Sequence, residues 1–175
     1  MGEPNLIPGG DLRTFFDDAV REAVGNAIGL DESEVIRYLS GMLADFALAD
    51  NLYRIQSVEG RRLEDVANML VEGDVGLRAT SFNREREVHR HIGDFTLFWT
   101  GFFPESLPRI KASGPDQLID YVRQGKQSYQ IVSLFDMGRY RDEAPLFRRL
   151  SNEFERCMEG LRLVRNQLGV FGGAS

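Results

Sequence analysis

The chain has 175 residues, of which 42% are hydrophobic and 27% charged, and a formal net charge of −6. That length and balance fit one compact domain able to bury a core without staples. The acidic excess sets aside broad, salt-driven nucleic-acid binding, with Arg61-Arg62 and Arg148-Arg149 read as solvated helix faces. A single cysteine, Cys157, excludes an intramolecular disulfide and any multi-cysteine metal site.

Residues 1–10 read as a flexible lead-in, with Pro4 and Pro8 ahead of Gly9-Gly10. The segment lacks the basic region and apolar run of a secretory signal, and Leu6 stands where a myristoylation motif needs Ser or Thr. From Asp11, the pattern Leu12, Phe15/Phe16, Ala19/Val20, Ala23/Val24, Ala27/Ile28 predicts one helix with a wide apolar face, stopped at Gly29. Asp31-Glu32-Ser33-Glu34 resembles a capping box with Asp31 as the cap. Behind it Val35/Ile36, Leu39, Met42/Leu43 and Phe46/Ala47 predict a second helix, antiparallel to the first.

Residues 51–60 fit either a short strand or a continued helix, the latter in keeping with a helical chain. Leu63, Val66/Ala67 and Leu70/Val71 predict a short third helix ended by Gly73 and Gly76. A central helix follows, capped by Ser81 or Asn83 and ended by Pro104, which is charged at its start and almost wholly apolar from Ile92. Its longest apolar run, Phe95 to Phe103, is about half of what a bilayer crossing needs, so a soluble cytoplasmic protein with no membrane partner is expected. Residues 105–112 allow a helical turn or two.

Pro115 opens a helix with Leu118/Ile119, Val122, Tyr129, Val132 and Phe135 inward, closed by Gly138. A last helix is predicted from about Asp142 to Leu168, burying Leu146/Phe147, Leu150, Phe154, Cys157/Met158, Leu161 and Val164, with Gly169 as its cap and 169–175 as a flexible tail. The expected architecture is an all-α, single-domain bundle of five to six helices over residues 11–168, built around the central apolar helix.

Few of these residues invite chemistry. Cys157 falls among apolar residues at helical spacing and reads as a packed thiol. His89 and His91 lie about 200° apart around a helix and cannot share a metal ion there. Glu87, His91 and Asp94, at spacings of four and three, do share a stripe and form the candidate metal set. The Glu-x-x-His pairs of di-metal bundles are missing, so a second helix would have to add carboxylates such as Glu34 or Asp45. The simpler reading of Glu85/His89 and Glu87/His91 is an ordinary helical charge face.

Asp94 is surrounded by Ile92, Phe95, Leu97 and Phe98, where an unpartnered carboxylate is costly. Its expected donors are Tyr121, Lys126 or Tyr129, and this cluster is either a small-ligand anchor or a polar pin between helices. Gly93, Thr96, Thr100 and Gly101 put small residues opposite the aromatic stripe, and Gly125 does so on the next helix. Close helix approach is the expected cause. Phosphate loops, nucleophile elbows, zinc signatures and calcium loops are missing, and no cofactor is implied.

The run Gly93 to Glu105, followed by Tyr121 to Tyr129, resembles bacterial all-helical proteins that carry no assigned activity. The functional expectation is a non-catalytic helical interaction protein, acting as a homo-oligomer or as a small partner subunit. The alternative is a bundle enzyme or sensor holding a metal or small ligand beside Glu87, His91, Asp94, Lys126 and Tyr129.

Overall fold

Ser81 starts the helix around which the others gather. In extended conformation, its side-chain oxygen accepts a hydrogen bond from the Arg84 amide at 3.1 Å, satisfying one of the donors a helix start leaves open. This helix, Phe82–Phe102, stops two residues before Pro104. The computed structural model describes residues 9–47, 69, 81–104 and 117–168, and over these the chain is an all-α bundle with no strand. In chain order the helices are α1 (Gly9–Val20), a π-helical segment (Arg21–Ala27), α2 (Ser33–Phe46), α3 (Phe82–Phe102), α4 (Gln117–Ser133), a 3₁₀ turn (Gly138–Tyr140), α5 (Ala144–Asn152) and α6 (Phe154–Leu168). The expectations for residues 1–8 of the lead-in, residues 51–60, the third helix apart from the helical Met69, the 105–112 turn, Pro115 and the tail lie outside the described residues, whereas Gly9-Gly10, expected in the lead-in, already belong to α1.

Every residue of α3 from His91 to Phe98 is buried, as a helix surrounded by partners requires. Its small residues face α4 and α6. A Cβ at Gly93 would stand 2.5 Å from the Tyr129 ring of α4, and one at Gly101 would stand 2.8 Å from Leu161 Cβ of α6. Gly125 of α4 in turn sits against Thr96 and the Phe154 ring. Thr96 and Thr100 return their hydroxyls to α3 carbonyls, at 2.7 Å from Ile92 O and 2.6 Å from Thr96 O, so they approach their neighbours with no unsatisfied donor. The aromatic side meets α2, where Phe46 packs edge-on against Phe98 at 5.2 Å and against His91 at 6.1 Å.

Five expectations about these helices need correction. The helix α4 ends at Ser133 and not at Gly138, which instead begins the 3₁₀ turn. The first helix continues through a π segment, with Ile28 N–H donating to Ala23 O at 2.9 Å. The wider turn rotates the face, so Gly25 is buried and Ala27 exposed. Gly29 does end it, at φ +84°. The α2 cap is Glu32 rather than Asp31. Glu32 makes no side-chain cap bond because its carboxylate accepts from Arg149 Nε of α5 at 2.7 Å. The predicted final helix is two helices, broken at Glu153 (φ −105°, ψ 21°), because α5 packs on α4 whereas α6 lies against α3 and the π segment. Phe15 and Phe135, placed inward by periodicity, are 45% exposed and partly exposed respectively.

Candidate functional site

Asp94 lies on α3 between the small-residue face and the aromatic face, 6% exposed. Tyr129 of α4 donates to its Oδ1 at 2.7 Å, and Tyr38 of α2 donates to the same oxygen at 2.6 Å. Arg90, one turn before Asp94, donates from Nε to the Tyr38 hydroxyl at 3.2 Å and lies over that ring at 5.6 Å. Three helices thus meet at one carboxylate oxygen.

Burial pushes both phenols well above the ordinary tyrosine pKa, and the Asp94 charge raises them further. They remain neutral donors at physiological pH. Burial works against the Arg90 charge, but Tyr38, Asp94 and Glu87 more than offset it and hold its pKa above the ordinary value. The arrangement is a charge-assisted pin: a carboxylate as acceptor, two phenols as donors and a guanidinium that orients one of them.

Of the donors expected from sequence, Tyr129 is therefore placed at Asp94. Lys126 is not. Its ammonium reaches Glu155 of α6 at 2.7 Å on the surface, because a long stem lets the charge stay hydrated. Tyr121 is buried two turns before Tyr129, about 12 Å away along the helix axis.

The metal stripe does not gather either. Glu87 is half exposed and meets Arg86 Nη1 at 3.1 Å, whereas His91 packs among Phe46 and Phe95. Among the described residues no three His, Cys, Asp or Glu side chains could hold a metal ion together. The solvated histidine face is likewise corrected, since His89 and His91 are both buried. They point to different helices: His89 Nδ1 lies 3.3 Å from Ser128 Oγ of α4.

Three residues of this region, Tyr38, Arg90 and Arg86, escaped sequence reasoning. Tyr38 sits 56 residues from Asp94 and carried no local signal. Arg86 is 2% exposed, bonded to Glu87 and Glu143 and stacked over Tyr140 at 4.0 Å and Phe147 at 5.4 Å. The one hint was its spacing, seven before Gly93 and eleven before Leu97, which continues a buried stripe.

Cys157 is fully buried, and burial pushes its thiol up to about 12, with Glu153 adding to the shift. Labelling of the native protein by a thiol reagent near neutral pH is therefore expected to run on the order of a thousandfold slower than in denaturant. Equal rates in a stopped-flow comparison would show an accessible thiol.

Two openings border these residues. Tyr38 lines a crevice of about 280 Å³ that also takes in Arg13, Arg37, Glu34, Asp142 and Glu143, a mixture of signs selective for neither anion nor cation. The larger, about 600 Å³, is a groove between the start of α3 and the end of α4. Phe82, Leu134 and Met137 line it while 70%, 68% and 77% exposed, which gathers three of the four exposed large apolar side chains among the described residues. Tyr140 forms part of its floor, held by Asn83 Oδ1 at 3.0 Å and by the Arg86 guanidinium. Comparison with protein-family models, curated proteins and solved structures returns no match for this chain.

Proposed function

We propose that this chain is a non-catalytic helical interaction protein that docks a partner chain, a second copy or a different subunit, in the groove between α3 and α4. The observation that carries the reading is the gathering of Phe82, Leu134 and Met137, each more than two-thirds exposed, around one opening. Scattered exposed apolar residues are ordinary, but contiguous ones rimmed by polar groups mark interaction surfaces. The inward-facing chemistry supports the same choice. The Asp94 pin is engaged with two phenols and spans three helices, a use that specifies packing.

The test is the double variant Leu134→Asp/Met137→Asp, whose side chains are exposed and whose fold is checked by circular dichroism. Sedimentation of the parent over a concentration series, together with affinity capture on both baits, reads the outcome. The parent is expected to self-associate, or to retain a chain that, once identified and purified, binds the variant at least about tenfold more weakly. A parent that stays monomeric, with the same chains held by both baits, would overturn the proposal.

A further inference from the structure

Resting on that docking reading, the chemistry of the groove narrows its occupant. Of the nine described side chains that line it, two are carboxylates, Glu85 and Asp136, and none is cationic. Two arginines lie against the groove's own Tyr140: Arg86, buried and paired with Glu87 and Glu143, 4.0 Å from its ring centre, and Arg139, which donates to its hydroxyl at 2.7 Å and lies 4.9 Å from its ring centre. Ile131 in the last turn of α4, with Leu134 and Phe135 just past its end at Ser133, forms an apolar edge along the groove. Met137 adds an unbranched side chain that adapts to varied shapes.

We infer that the groove receives a helical segment of a different protein, one that sets apolar side chains at i, i+3/i+4 and i+7 into it and flanks them with lysine or arginine. A two-fold contact between copies is disfavoured, since it would bring Glu85 and Asp136 to the same carboxylates of a second chain that itself carries a net charge of −6. A basic flank reverses that repulsion. Glu85 also complements the start of α3, where an acid is favoured, so Asp136 has more to gain from an incoming cation. With no strand among the described residues, they offer no sheet edge for an extended peptide, which leaves the helix-in-groove mode.

The experiment uses the full chain and two fluorescein-labelled helical peptides with the same leucines at i, i+3/i+4 and i+7, one flanked by lysines and its twin by glutamates. Fluorescence anisotropy at low ionic strength is expected to show the lysine peptide binding at least about tenfold tighter, with the gap narrowing as salt rises. Asp136→Asn is expected to narrow the gap more than Glu85→Gln does. Leu134→Asp is expected to abolish binding although it adds negative charge, which separates docking from mere attraction to an acidic protein. Equal binding of the twins, preference for the glutamate peptide, no binding of the lysine peptide, a preference undiminished by Asp136→Asn, or lysine-peptide binding that survives Leu134→Asp would each overturn the inference. Groove-dependent self-association in a protein that rejects the lysine peptide would overturn it while leaving the docking reading in place; indifference of every assembly to Leu134→Asp/Met137→Asp would remove both.

Discussion

Asp94→Ala is expected to lower the free energy of unfolding by about 3 kcal/mol, because hydrogen bonds to a charged group contribute roughly 1.5–3 kcal/mol each and a buried partner left behind adds its own penalty. Two phenols donate to the one oxygen that alanine removes, at 2.6 and 2.7 Å. Tyr129, with no exposed surface, would keep a buried hydroxyl without its acceptor, whereas Tyr38 retains Arg90 and borders the open crevice. Tyr129→Phe is therefore expected to cost more than Tyr38→Phe, and Asp94→Asn, which can still accept from both phenols, less than Asp94→Ala. Urea denaturation of the four variants measures the order. An Asp94→Ala protein as stable as the parent would show that the three helices are not held together here.

Gly93→Ala is expected to cost about 2 kcal/mol, although alanine gains close to 1 kcal/mol over glycine in helix propensity and overpacking alone costs only about 1–3 kcal/mol. The new methyl would stand 2.5 Å from both Cδ1 and Cε1 of Tyr129. That ring cannot retreat cheaply, since its hydroxyl is tied to Asp94 on one side and its face packs near Phe147 and Phe154, with centroids 5.9 and 6.0 Å away. Clash and lost hydrogen bond therefore add. In a Tyr129→Ala background the obstruction is gone, and the same Gly93→Ala change is expected to turn stabilising as the propensity gain emerges. A thermal denaturation series in which Gly93→Ala stabilises both backgrounds would contradict the close contact of α3 and α4.

What could be read from the sequence was what local chemistry controls. Ser81 and Pro104 bound the central helix by donor satisfaction and donor loss, and both act within a turn of themselves. The burial of Asp94 followed from its apolar neighbours, and Gly93, Gly101 and Gly125 announced close approach because a helix rarely carries glycine without such a cause. Periodicity names a face without naming what covers it. Tyr129 was reachable because it lies mid-helix on the neighbouring element, whereas Tyr38, on a helix far earlier in the chain, was not. Lys126 shares a face with Tyr129, but a flexible cation chooses water over a buried carboxylate. The break at Glu153 has neither glycine nor proline to mark it, and only the different partners of the two helices, α4 for α5 and α3 with the π segment for α6, explain it. The groove was hidden for a related reason: periodicity assigns neither Leu134 nor Met137 to a face, and past the end of α4 both are more than two-thirds exposed.

The π segment Arg21–Ala27 has a meaning in chain length. Its looser winding takes up about one residue more than an α-helix would use over the same rotation, and that surplus falls beside the exposed Asn26, ahead of the Gly29 turn. A chain shorter by one residue at this point could wind as plain α-helix and still deliver Leu30 to the core. The same deletion inside α3, where all eight residues from His91 to Phe98 are buried, would swing each later side chain onto the wrong neighbour. Among the described residues the slack thus lies in the π segment, and α3 holds none.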